Sequence, residues 1–174
     1  MLVRMTDLSG RVAMVVGAEF VSGGAIALAL AEAGCQVGIN DLEEDDDARE
    51  TIRRIEAMGR KAAFYAADIS DDGQVQAMMA DFVADFGTID VLANNPYWSK
   101  NRPFLELEAD NWSRTMDVCV KGFFLCSQAA YLCPDTATAP RDDQTTASCR
   151  SLRVNHKHPG VTAADRKALP TFRL

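Results

Sequence analysis

The chain is short of histidine, of positive charge and of long apolar runs, and each shortage removes a class of function. There are two histidines, His156 and His158. Neither has an acid or nucleophile in a catalytic pattern, so both read as solvated residues. The five cysteines (Cys35, Cys119, Cys126, Cys133 and Cys149) are odd in number and lack metal-ligand spacing. They read as reduced thiols of a cytoplasmic protein, with no metal site and no disulfide framework. Basic residues number 18 against 25 acidic ones, a net charge of −7. That balance argues against nucleic acid or an anionic membrane as partner. No apolar run is long enough to span a bilayer, and Met1-Leu2-Val3-Arg4 does not read as a signal peptide.

Within 174 residues, 48% of them hydrophobic, there is room for one ordinary domain with a real core. Its organising stretch is Val12 to Asp41. Val12–Val16 is a short continuous apolar run, as expected of a strand buried on both faces. A loop holding Gly17, Gly23 and Gly24 follows. Next comes an Ala/Leu-rich helix former ending near Gly34, and then a second apolar run ending at Asp41. This is a βαβ unit with glycines at the first turn and an acid about 20 positions on, an arrangement suited to a dinucleotide. The helix N-terminus offers N–H groups to phosphates, and Asp41 can accept hydrogen bonds from ribose hydroxyls. Val21 stands where a further glycine is expected, and Glu19 puts a negative charge in the loop. Both oppose a pyrophosphate, so weak binding is expected.

The alternation continues. The acidic run Glu43-Glu44-Asp45-Asp46-Asp47 can open a helix running to Met58, with Gly59 as its stop. Lys61–Ala67 is a third strand candidate leading to Asp68-Ile69. Ser70 or Asp71 caps a helix whose Val75, Met78, Met79, Phe82 and Phe86 follow helical spacing. Ile89–Ala93 is a fourth strand candidate ending at Asn94-Asn95, and a long helix from Asp110 or Asn111 reaches about Leu132. Strand and helix in alternation imply a parallel sheet covered on both faces. Such sheets bind ligands at their carboxyl edge, where Gly17, Asp41, Asp68 and Asn94 would all lie.

From Leu8 to Leu132 the chain resembles the short-chain dehydrogenase/reductase family. The resemblance rests on Leu-Ser-Gly-Arg-Val before the first strand, the glycine loop, Asp41, Asp68-Ile69, Leu92-Ala93-Asn94-Asn95 and the stretch Asp117–Gly122. It implies a Rossmann-type doubly wound α/β sheet in the strand order 3-2-1-4. It also implies a nicotinamide dinucleotide as hydride carrier and a small carbonyl or alcohol substrate. By position, Gly17 and Gly23 match phosphate-loop glycines, and Asp41 matches the ribose acid of NAD-preferring members, so NAD is expected over NADP. Asp68 and Ile69 match the pair lining the adenine. Asn94 and Asn95 match the first half of the family's Asn-Asn-Ala-Gly, with Pro96 and Tyr97 replacing the rest.

Catalysis in that family resembles proton transfer by a Ser-Tyr-Lys set with a helix asparagine. Cys119 occupies the asparagine position, and a thiol lacks the paired donor and acceptor of an amide. No Tyr-x-x-x-Lys follows the long helix, since the last tyrosine is Tyr131. The expectation is therefore a dinucleotide-binding domain over residues 1–133, with the fold truncated after its fourth strand and following helix. Residues 134–174 are expected to form an irregular tail, poor in periodicity and holding four of the six prolines and both histidines. No catalytic residue is assigned. The chain then reads either as an oxidoreductase of this type lacking its catalytic set or as a non-catalytic NAD-binding fragment left by truncation or a shifted frame. With no convincing fifth strand, the fourth would be an open edge, and self-association or a homo-oligomer is expected.

Overall fold

A computed structural model of the protein describes residues 7–18 and 21–133. Glu19 and the stretch 134–174 lie outside the described residues, as do the expectations made for them. Four strands, β1 (Val12–Val16), β2 (Gln36–Asp41), β3 (Ala62–Ala66) and β4 (Val91–Asn94), form one sheet in the order β3-β2-β1-β4. All neighbours run parallel, with Val12 beside Gln36, Val37 beside Ala62 and Ala13 beside Val91. β1 is central, and all five of its side chains are buried, as its unbroken apolar run requires. The expected order and doubly wound class are those observed.

Successive β1 residues feed two cores, because strand side chains alternate between faces. Ala13 and Val15 join Val37 and Ile39 beneath α1 (Val21–Glu32) and α2 (Asp46–Ala57). Met14 and Val16 join Val75, Met78 and Phe82 beneath α3 (Asp72–Phe86), together with Leu125 and Cys126. Local chemistry sets the helix ends. Asp45 accepts from the Ala48 amide at 2.7 Å and Asp71 from the Gln74 amide at 2.9 Å, each side chain serving an amide its helix leaves unpaired. Gly87 closes α3 in the left-handed region, a conformation that favours glycine.

The long helix is continuous but not uniform. α4 (Ala109–Met116) passes through a π-helical turn, Asp117–Gly122, into α5 (Phe123–Leu132). A 3.6-residue periodicity does not reveal that turn. The helix also begins slightly earlier than expected, at Ala109, with no side-chain cap from Glu108. β4 starts two residues later than expected. Asp90 instead accepts from the Val12 amide at 2.9 Å and from Arg11 at 2.8 Å, which ties the entrance of β4 to the start of β1. Among the described residues β4 pairs on one side only. Phe123 and Phe124 are 51% and 56% exposed beside it, whereas Leu125 is buried. No helix among the described residues is long and apolar enough to cross a membrane.

Candidate functional site

A cleft opens across the carboxyl ends of the strands, and it gathers Gly17, Asp41, Asp68, Ile69 and Asn95. Gly17 follows β1 with φ +77°. Its amide and that of Ala18 both donate to the Asn40 carbonyl at 3.0 Å. Asn95 Nδ2 donates to the Gly17 carbonyl at 3.0 Å. A Cβ on Gly17 would lie 2.7 Å from the Asn95 carbonyl carbon and 2.9 Å from Pro96 Cα. Gly23 sits one helical turn away, where a Cβ would press on the Gly17 carbonyl and lie 2.6 Å from Ala18 Cα. Gly23 thus does not line the cleft; it lets α1 close on the turn that does. Val21 opens α1, and no residue other than glycine has positive φ among the described residues.

Asp41 ends β2, where Oδ1 accepts from the Leu42 amide at 2.8 Å. Its neighbour Asn40, which sequence reasoning missed, is buried and straps β2 to β3. Nδ2 donates to the carbonyls of Tyr65 at 2.9 Å and Ala67 at 3.2 Å. The one signal for it was an amide inside an otherwise apolar strand. Asn94 and Asn95 part company because consecutive strand residues face opposite sides. Asn95 turns to the cleft. Asn94 Nδ2 donates to Ser127 Oγ at 3.0 Å in a separate groove between β4 and α5, lined by Leu92, Phe123 and Tyr131. Its buried Oδ1 has no partner among the described residues.

Asp68 is held most firmly. Oδ1 accepts from the Ser70 amide at 2.9 Å and the Ser70 hydroxyl at 2.7 Å, and Oδ2 accepts from Arg114 Nη2 at 2.8 Å. Burial alone raises its pKa, but the hydrogen bonds from Ser70 and Arg114 and the guanidinium charge together outweigh it. The carboxyl therefore sits below the ordinary carboxylate value. Ile69 is buried against Gly122 of the π turn, where a Cβ would meet its Cδ1 at 2.7 Å. Arg114, Trp98 and Val118 complete the cleft wall. Cys119, on the same turn, places Sγ 3.8 Å from the Trp98 carbonyl.

A parallel sheet in this order, with glycine, an acid and an Asp-Ile pair converging at its carboxyl edge, defines a Rossmann-type nucleotide-binding protein. The family profile described as enoyl-(acyl carrier protein) reductase matches residues 22–169, and so reaches past Cys133. The chain belongs to the short-chain dehydrogenase/reductase family. It is 37% identical over 131 residues to a 2-dehydro-3-deoxy-D-gluconate 5-dehydrogenase of Escherichia coli, covering 75% of this chain and 50% of that protein. It is 33% identical over 118 residues to a 3-oxoacyl-[acyl-carrier-protein] reductase of Staphylococcus aureus, covering 68% and 48%. Among solved structures, a short-chain type dehydrogenase/reductase from Mycobacterium marinum superposes with a TM-score of 0.70 at 31% identity, covering 74% of this chain and 52% of that one. A short chain dehydrogenase from Burkholderia cenocepacia in complex with NADP gives 0.69 at 32%, covering 72% and 51%. The chain spans about half the length of the relatives it matches.

Proposed function

We propose that this chain forms the dinucleotide-binding half of an oxidoreductase of the short-chain type, that it takes NAD in preference to NADP, and that it does not complete catalysis alone. The observation that carries the reading is the convergence of Gly17, Asp41, Asp68 and Ile69 on one cleft beside the start of α1. The turn at Gly17 leads into α1, whose N-terminal amides would meet the diphosphate. Asp41 accepts from the ribose hydroxyls, and Asp68 with Ile69 receives the adenine. A bound nicotinamide supplies hydride exchange with a carbonyl or alcohol. Proton transfer to that substrate needs a group this chain lacks in the family pattern, because no tyrosine follows Tyr131 and Cys119 stands at the asparagine position. Other groups not recognised in this sequence, or a partner chain of different sequence, would have to complete the site. A cytoplasmic location is part of the proposal, supported by cysteines without disulfide or metal spacing.

The preference for NAD follows from charge. Arg114 is the one cation lining the cleft among the described residues, and Asp68 already engages it at 2.8 Å. A 2′-phosphate would face Asp41 as a like charge, with Glu43 and Glu44 close in sequence. A charge-assisted hydrogen bond contributes about 1.5–3 kcal/mol, which sets the preference at about tenfold or more. Calorimetric titration with NAD and NADP tests this, with Asp41→Asn expected to narrow the gap. Equal or tighter binding of NADP by the unaltered protein would overturn the assignment.

A further inference from the structure

Three hydrogen bonds and one packing contact clamp the loop after β3 to the long helix. Arg114 donates through one arm to Asp68 Oδ2 and through the other to Ser70 Oγ. Lys121 Nζ donates to the Ser70 carbonyl at 2.9 Å. Gly122 allows the π turn to settle on Ile69. An exposed ion pair would contribute little to stability. The Arg114 and Asp68 side chains are only 34% and 27% exposed, and their residues are 46 apart in sequence. Ser70 already satisfies Oδ1 twice, so the carboxylate does not need Arg114 to remain folded in place. A carboxylate offers about four acceptor sites. What the guanidinium adds is orientation: its planar fork fixes Oδ2 and Ser70 Oγ together, which a flexible ammonium cannot do.

We infer that Arg114 is a positioning residue for nucleotide recognition, holding Asp68 oriented at the adenine end of the cleft through its two-armed contact with Asp68 and Ser70. This rests on the dinucleotide reading above. The role is confined to one end of the ligand. Adenine-bearing ligands feel the loss of Arg114, and a ligand carrying only the nicotinamide half does not. A merely structural arginine would instead lower the melting temperature, leaving the ranking of ligands unchanged.

The test titrates the full chain and its Arg114→Ala and Arg114→Lys variants with NAD, ADP-ribose and nicotinamide mononucleotide, with thermal melting of each in parallel. Arg114→Ala should weaken NAD and ADP-ribose alike, by about tenfold, and leave the mononucleotide unchanged. Arg114→Lys keeps the charge and loses the fork, so it should fall between. Should the alanine variant fail to fold, the lysine variant decides: weaker ADP-ribose binding than wild type supports the role, and equal binding overturns it. Unchanged ADP-ribose binding in Arg114→Ala, or an equal loss for the mononucleotide, also overturns it. If the wild-type chain binds neither NAD nor ADP-ribose, the dinucleotide reading itself falls, and this role with it.

Discussion

Replacing Gly17 with alanine adds one methyl group at a point where the structure leaves no room for it, and the cost can be separated into two parts. Gly17 and Gly10 have nearly the same backbone angle, φ +77° and +79°, but a Cβ on Gly10 meets nothing within 4 Å. Gly10→Ala therefore measures the left-handed strain alone. That strain is about 1–2 kcal/mol, partly offset by about 0.4–1 kcal/mol from the lost freedom of the unfolded chain. A net loss of about 1 kcal/mol is expected. Gly17→Ala carries the same two effects and also forces the Asn95–Pro96 backbone to move. Overpacking of this kind costs a further 1–3 kcal/mol or so, giving about 2–4 kcal/mol in all. At this chain length each kcal/mol lowers the melting temperature by about 2–4 °C. The two variants should therefore melt several degrees apart, with Gly17→Ala the lower, and nucleotide binding should be lost in that variant alone. Equal melting of the two would refute the close approach of the Gly17 turn to the segment after β4.

Gly38→Ala should cost about 1–3 kcal/mol in urea unfolding, because the new Cβ would enter the ring of Phe82, a fully buried side chain stacked on Phe86 at 4.8 Å. Asp68→Asn tests linkage: the folded pKa of Asp68 is lowered, so its contribution is present above the unfolded carboxylate value of about 4 and is lost as pH falls through the folded value. The stability gap between wild type and Asp68→Asn should accordingly narrow on acidification below about pH 4, and a gap that stays constant would contradict the assigned pairing. Sedimentation at rising concentration should show self-association through the side of β4 that is unpaired among the described residues and through the exposed Phe123 and Phe124, and a strict monomer at all concentrations would exclude it.

The sheet was legible because its signals are local. Val12–Val16 is apolar at every position, acids gather where α2 begins, Ser70 and Asp71 precede α3 with Asp71 its cap, and Gly59 and Gly87 follow the helices they end. Parallel topology then follows from alternation and short connections. The gathering of Gly17, Asp41 and Asp68 was legible for the same reason, since each stands at or shortly beyond a strand end, and Ile69 came with the family resemblance. Asn94 turns away from the cleft, toward Ser127, through strand register. A strand end predicted from composition can be off by a residue, and one residue turns a side chain to the other face. The cleft's remaining residues had no such marker. Arg114 is recognisable only once the chain has brought it 46 positions back to Asp68.

The π turn shows where reading by periodicity runs out. From Asp110 to Leu132 the apolar residues suggest one amphipathic helix, and the backbone is indeed unbroken. A π turn inserts residues without ending the helix, so the two halves present different faces. The first half turns Arg114 toward the cleft, the π turn itself adds Val118 to the cleft wall, and the second half turns Leu125 and Cys126 into the core. Gly122 permits the change because any larger residue would strike Ile69. The stretch after Cys133 raises the same difficulty more sharply. It has no period-2 or period-3.6 pattern, yet the family profile runs through it to residue 169. A profile matches residue types position by position, whereas periodicity asks whether a segment could bury a face. The absence of an amphipathic pattern therefore does not separate that stretch from the family.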